Sequence, residues 1–160
     1  MPRHRAATEP PILHNVGVQW TADQQTFLEQ NHGAAMITLR ADGTPGAVRV
    51  GVALVDGKLW SSGTQGRTRT RNLRRDARST VFVYENNGFR YLTIEAQVTI
   101  LEGPSAPEQN LKLFRVMQNK PSGALAWSGN PSVPEDEFLR AMVDEQRLIY
   151  EFEPRHVYGL

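Results

Sequence analysis

Apolar positions first change their period near residue 33, where a short helical opening gives way to a run of strands. Thr21-Ala-Asp-Gln24 has the spacing of a capping box, and Phe27 and Leu28 give the following segment one apolar side. The pattern predicts a helix to about residue 31, closed near Gly33. Beyond it the period becomes two. Ala35, Ile37 and Leu39 alternate with Met36, Thr38 and Arg40, and Val48, Val50, Val52 and Leu54 share one side of a second strand after the turn Ala41-Asp-Gly43. Asp56-Gly57 predicts a two-residue hairpin, because both central positions tolerate positive φ, and a third strand follows over residues 58–62. Residues 80–84 read as a fourth strand and Asn86-Asn-Gly88 as a turn. Residues 90–101 form a long fifth strand with Leu92, Ile94, Ala96, Val98 and Ile100 on one face. Ser105-Ala-Pro-Glu108 starts a helix to about residue 119, Ser132-Val-Pro-Glu135 starts another to about 145, and residues 147–153 supply a last strand. Hairpins in this number close into a barrel, because closure removes exposed strand edges. The expected class is mainly β with helices (α+β), a barrel of about six mostly antiparallel strands. Residues 1–20, rich in proline and charge and without periodicity, are expected to form a flexible arm, and residues 21–160 a single domain.

Composition narrows the chemistry. A hydrophobic content of 39% and a charged content of 22% suit one globular domain. No apolar run approaches the roughly 20 residues of a membrane span. Met1-Pro-Arg-His-Arg5 carries positive charge with no apolar core behind it, so it does not read as a secretory signal, and the expected location is the cytoplasm. The absence of cysteine removes disulfides, thiolate nucleophiles and cysteine metal sites together. His4, His14, His32 and His156 stand at no helical ligand spacing, so no dedicated metal site is expected. A net charge of +1 gives no overall field towards nucleic acid or an acidic membrane, and any preference for anions must be local.

That local preference has one candidate. In the stretch from Ser61 to Arg78 a strand ends in Ser-Ser-Gly-Thr-Gln-Gly and runs into Arg-Thr-Arg-Thr-Arg-Asn-Leu-Arg-Arg-Asp-Ala-Arg. Backbone N–H groups at a helix start are unpaired, glycines at 63 and 66 admit close approach, and arginine grips phosphate or carboxylate through a planar fork. Arg67 and Arg69 share a side if the entry is extended. Arg71, Arg74, Arg75 and Arg78 fall at helical intervals and are expected to form one basic face, with Leu73 as the anchor. A basic helix face is commonly just solvated, and the small polar residues upstream move the balance towards a ligand site.

The segment Gly66-Arg-Thr-Arg-Thr-Arg-Asn-Leu-Arg-Arg-Asp-Ala-Arg78, placed after a strand and before Ser79-Thr-Val-Phe-Val83, resembles the pyridoxamine 5′-phosphate oxidase-like superfamily of FMN-binding-like split barrels. It is most similar to the actinobacterial branch that uses coenzyme F420, a deazaflavin. Ile37-Thr-Leu-Arg-Ala-Asp-Gly-Thr-Pro45, Gly88-Phe-Arg-Tyr91 and the ending Arg155-His-Val-Tyr-Gly-Leu160 agree, and the likeness covers about residues 22–160. The resemblance implies a split-barrel homodimer with cofactors at its interface. Carried over residue by residue, Arg67 and Arg69 match the pair that binds the cofactor phosphate, and Ser62 and Gly63 add contacts at the strand end. Asn72 supports the loop, and Arg49, Val50 and Gly51 match the strand against the ring. Phe89 matches an aromatic contributed by the other subunit. Arg69 stands where lysine is common and Ala77 where proline is usual; the role of Arg49, at a position that is often small, stays open between ring contact and barrel interior.

No serine–histidine–acid set, paired catalytic carboxylates or reactive thiol can be assembled, which fits chemistry carried by a cofactor. The function the resemblance implies is an oxidoreductase, an F420H2-dependent reductase that passes hydride from the reduced deazaflavin to a small conjugated organic acceptor. Two alternatives stay open. One is an FMN-dependent oxidase or reductase on the same fold; the arginine surplus favours the deazaflavin, whose oligoglutamate tail profits from extra cations. The other is a non-catalytic protein that carries the cofactor, haem or another tetrapyrrole, with His32 or His156 as an axial ligand. Trp60 and Trp127 are candidates for a pocket lining or for core.

Overall fold

The computed structural model describes residues 18–160, so most of the proposed arm, residues 1–17, lies outside the described residues. The described end of that arm is held: Trp20 packs against the core and its indole N–H donates to the Gly57 carbonyl at 3.1 Å. Helix α1 (Ala22–Gln30) starts at the expected capping box, in which Thr21 Oγ1 accepts from the Gln24 N–H at 3.2 Å and Gln24 Oε1 accepts from the Thr21 N–H at 3.0 Å.

Five strands follow: β1 (Gly33–Leu39), β2 (Pro45–Val55), β3 (Lys58–Thr64), β4 (Arg78–Tyr84) and β5 (Tyr91–Leu101), with α2 (Thr68–Arg75) between β3 and β4. Helix α3 (Ala106–Gln118), a small hairpin of β6 (Leu125–Trp127) and β7 (Asn130–Val133), and α4 (Glu135–Asp144) lead into β8 (Arg147–Gly159). Six strands close into an antiparallel barrel in the order β1-β2-β3-β8-β5-β4, with β4 paired back onto β1. Asp56 and Gly57 take φ of 51° and 78°, the two positive values that the tight β2–β3 turn requires.

The interior is built by alternation. Ala34, Met36 and Thr38 of β1 face inward, as do Val50 and Val52 of β2 and Leu92, Ile94, Ala96 and Val98 of β5. Phe27 and Leu28 of α1 and Leu73 of α2 join the same core. Alternation fails along the second half of β2, where Ala53 and Val55 on the outer face are buried too. Leu113 of α3 covers them together with Trp60 and Ile149. A third cluster of Leu111, Leu125, Val133, Phe138 and Met142 fastens the hairpin and α4 onto α3.

Several expectations need correction. Helix α2 ends at Arg75, and Arg78 is the first residue of β4 rather than part of a basic helix face. Ser105 makes no side-chain cap bond, and α4 is entered from Pro134 with Ser132 on β7. The hairpin was absent from the sequence reading although Ser128-Gly129 supplies its turn, with φ of 50° and 81°. Strands of three and four residues carry too little period to register. The last strand continues past Glu153 to Gly159, because the extra residue Arg155 is absorbed by a bulge opposite Glu95 and Ala96.

Gly63 is fixed by packing. A Cβ built on it falls 2.2 Å from the Tyr150 hydroxyl oxygen, whereas one on Gly66 meets nothing within 4 Å. Gly63→Ala is therefore expected to lower unfolding stability by about 1–3 kcal/mol through overpacking, and Gly66→Ala to stay within about 0.5 kcal/mol of the parent. Urea denaturation of the two variants side by side checks this, and equal midpoints would refute it.

Candidate active site

The end of β3 and the start of α2 are joined by a short turn whose shape comes from Thr70. Its hydroxyl lies 2.7 Å from the Thr64 carbonyl and 2.5 Å from the Tyr150 hydroxyl, inside the barrel wall. Arg67, at the helix N-cap, is extended with φ −69° and ψ 143° and makes no side-chain cap bond. Asn72 and Leu73 are buried, and Asn72 Nδ2 donates to Thr38 Oγ1 at 3.0 Å.

The six arginines from 67 to 78 do different things. Arg74 pairs with Glu102 at 2.6 Å and donates to Gln65 at 2.7 Å. The hydrogen bond from Arg74, with a second from Gln65, holds the Glu102 carboxyl below its usual range. Arg78 pairs with Asp76 at 2.7 Å, and its hydrogen bonds pull that carboxyl down to about 2. Arg75 donates to the Leu39 carbonyl at 2.6 Å and Arg71 to the Gly66 carbonyl at 2.9 Å. Arg67 and Arg69 meet no carboxylate among the described residues. Arg69 lies over the Tyr150 ring at 5.7 Å, reaches only the Ser62 carbonyl at 3.4 Å, and has a buried Nε without a partner. Burial pulls its pKa below the ordinary guanidinium value; Tyr150 opposes the shift, and the charges of Arg67 and Arg147 add to it.

A cavity of about 240 Å³ lies beside Arg69. Its barrel wall is Arg49, Val50 and Gly51 of β2 and Ser62 of β3, four more of the residues singled out by the sequence. Val50 turns its side chain into the barrel core, so it offers the cavity its backbone. Arg49 projects from the outer face and is exposed, which places it outside the barrel interior. Gly51 sits so close under Met117 that a Cβ there would be 2.9 Å from the sulfur. Ser62 Oγ donates to Asn110 Oδ1, whose own Nδ2 donates to the Ala106 carbonyl at 2.9 Å. The serine proton is thereby committed, and towards other groups Ser62 offers only an acceptor.

Opposite stand Phe114 and Met117 of α3, Trp127 of the hairpin and Arg147 at the start of β8. Phe114 and Trp127 meet edge to face at 5.0 Å, and both meet Phe138 the same way. The Arg147 guanidinium lies 4.8 Å from the Trp127 ring centre, pairs with Glu145 at 2.9 Å, and comes within 3.5 Å of Ser62 Oγ. Its Nε is buried and has no partner. Four of the expected residues do not line this cavity: Gly63 is buried against Tyr150, Asn72 lies under α2, Arg67 is exposed before the helix, and Phe89 is fully exposed on the β4–β5 turn. Trp60 is in the outer cluster with its N–H on Glu151 at 2.8 Å. His32 donates from Nδ1 to the Val52 carbonyl at 2.9 Å and His156 lies 3.0 Å from Glu95; neither reaches the cavity. Sequence reasoning missed Phe114, Met117 and Arg147. The first two stand three apart on one helix face, a signal that reads equally as core.

A closed six-stranded antiparallel barrel with a cation-bearing cavity at a strand end is the split-barrel architecture, a fold that binds flavin-type cofactors. The chain belongs to the pyridoxamine 5′-phosphate oxidase family, whose profile matches residues 21–159. Among solved structures it is similar to the conserved hypothetical protein Rv2991 of Mycobacterium tuberculosis, with a TM-score of 0.68 and 19% identity over 89% of this chain and 85% of that one. It is similar to an F420 reductase with a TM-score of 0.61 and 22% identity over 84% of this chain and 94% of the other. The heme storage protein HutZ of Vibrio cholerae matches with a TM-score of 0.61 and 12% identity over 89% and 95% of the two chains. At these identities the likeness is one of fold.

Asn72 is a polar tie between α2 and β1, and both it and Thr38 are buried. Asn72→Ala is expected to cost about 1–3 kcal/mol by leaving the Thr38 hydroxyl without its partner, measured by chemical denaturation. A change below about 0.5 kcal/mol would remove that role.

Proposed function

We propose that this protein is an oxidoreductase that binds coenzyme F420 in the Arg49–Gly51 and Ser62–Arg69 cavity and reduces a small conjugated organic acceptor. When bound, the reduced deazaflavin supplies a hydride at a carbon centre, and solvent or a weak acid supplies the proton. The observation that carries the reading is Arg69: a half-buried guanidinium with no carboxylate among the described residues, facing a cavity whose other side is strand backbone. A phosphate ester satisfies that cation, and Arg67, two residues earlier, is exposed and adds charge. The backbone of β2 offers a flat surface to a ring, and Phe114, Met117 and Trp127 exclude water from the opposite side. We propose a cytoplasmic location.

The cavity, at about 240 Å³, is below the roughly 300 Å³ at which sites for small organic ligands begin. A whole cofactor therefore extends beyond it, which supports a homodimer whose second chain completes the site. Aromatic side chains on the outer barrel face support the same arrangement: Tyr91 stacks on Phe82 at 5.1 Å, and Tyr91, Tyr158 and Phe89 are exposed.

One observation favours FMN as the second reading. Of the arginines expected to serve an anionic tail, Arg74 and Arg78 are neutralised by Glu102 and Asp76, and Arg75 is turned to a carbonyl. Arg71 and Arg75 keep exposed charges with neutral partners, so the surplus that separated F420 from FMN is smaller than the count of arginines suggests.

Titration of the purified protein with F420 and with FMN, followed by tryptophan fluorescence, is expected to show the tighter response to F420. FMN binding with no response to F420 would reverse the choice, and binding without turnover of an enone and quinone panel would favour a carrier. Arg67→Ala combined with Arg69→Ala is expected to weaken cofactor binding by roughly 10- to 1,000-fold at low salt, less as salt rises because exposed charges are screened. Unchanged affinity would move the phosphate away from this segment.

A further inference from the structure

We infer that Arg147 is a second anion-binding arginine of the cavity, and that with Arg69 it grips one phosphate ester seated at Ser62. The inference rests on the cofactor reading above and extends it to a residue outside the Gly66–Arg78 segment. Arg69 and Arg147 approach Ser62 from two elements, the first to its carbonyl at 3.4 Å and the second to its Oγ at 3.5 Å. Both contacts are long, and neither satisfies its guanidinium. Among the described residues three buried side-chain polar atoms have no partner, and two of them are the Nε atoms of these arginines. Buried donors are nearly always paired in folded proteins, so two such N–H groups on one cavity point to an acceptor that comes from outside the chain.

The charge of that acceptor follows from what surrounds it. Glu145 is the one carboxylate paired with either guanidinium among the described residues, and it also accepts from the Trp127 indole at 3.2 Å. Two cations with one partly exposed carboxylate, held by Arg147 alone, leave the pair net positive before Arg67 is counted. Ser62 cannot supply a further donor, because its proton is given to Asn110 and the amide of Asn110 is oriented by Ala106. The ligand group must therefore be anionic and accept from two directions. A tetrahedral anionic phosphate ester does both, whereas one carboxylate presents its oxygens in a single plane.

Arg147 is prepared for this role. Its side chain is only 12% exposed, its plane rests on Trp127, and Glu145 holds one end. Little side-chain freedom is left to lose on binding, unlike a surface arginine.

Calorimetric titrations of the full-length protein and of Arg147→Met and Arg147→Lys with F420, FMN and riboflavin test the inference. Methionine keeps the stem on Trp127 and removes the charge. Arg147→Met is expected to weaken F420 and FMN by roughly 10- to 100-fold while leaving riboflavin, which lacks the phosphate, unchanged. Its affinity should also fall less steeply with salt than the parent's. Lysine restores part of the loss, since it returns a charge without the Nε–H fork. Parent-like affinity of Arg147→Met for F420 and FMN overturns the role of Arg147 and leaves the cofactor reading standing. Equal weakening of riboflavin overturns the phosphate assignment, and a parent protein that binds none of the three overturns both. Thermal melts by circular dichroism identify a variant that has lost its fold, in which case Arg147→Lys carries the comparison.

Discussion

The contact between the Tyr150 phenol and the Thr70 hydroxyl is the constraint on which the site is built. It joins β8 to α2 across the wall of the barrel, and it is fully buried. Tyr150 fills the space that a side chain at position 63 would need, so β3 carries glycine there. Thr70 in turn reaches the Thr64 carbonyl, which sets the turn between strand and helix. Arg69 precedes Thr70 and lies across the Tyr150 ring, while Arg147 stands three residues before Tyr150 on β8. One buried polar pair thereby places two guanidinium groups on the same cavity. In an apolar interior such a pair favours a single arrangement, since either hydroxyl alone is costly to leave unpaired.

Charge in the arginine segment is divided by exposure and partner rather than by spacing. Arg74 and Arg78 are used within the chain in exposed ion pairs, which contribute little stability but do cancel charge, while Arg75 donates to the Leu39 carbonyl and keeps its charge. Arg69 is the reverse case, a partly desolvated cation with a neutral environment and like charges near it. Such a group is stabilised by an anion far more than a solvated one is, because there is less water to displace and less screening. A patch of six arginines thus yields one strong position, with Arg67, Arg71 and Arg75 as outlying charge.

Much of the barrel was legible because hairpins write themselves locally: Thr21 to Gln24, Asp56-Gly57 and the alternation along β1, β2 and β5 each depend on residues a few positions apart. The barrel side of the cavity was legible for a related reason, since Ser62 and Arg69 belong to one continuous segment and Arg49 to Gly51 to one strand. The opposite wall was not. Arg147 is a lone arginine at a strand start, and its meaning comes from Trp127 and Glu145, which reach it only after α3, the hairpin and α4 have packed. The basic face predicted through Arg78 failed because the helix ends at Arg75, Asp76 is already extended, and Arg78 pairs with Gln97 in the sheet. Periodicity reports which side of an element is apolar; it does not report where the element stops.

The two walls of the cavity also differ in what sets their chemistry. The barrel wall offers mostly main chain, with Val50 turned inward, Gly51 bare and Ser62 committed to Asn110, so its recognition of a ring depends little on side-chain identity. The far wall is made of side chains alone, fastened through the Phe114, Trp127 and Phe138 cluster to elements outside the barrel. Substitutions there can reshape the space over a ring without disturbing the strands that hold it, because the cluster is a separate core from that of the barrel. Under the proposed function, choice of acceptor would belong to α3 and the hairpin, and grip on the cofactor to the strand ends and to the arginines beside Ser62.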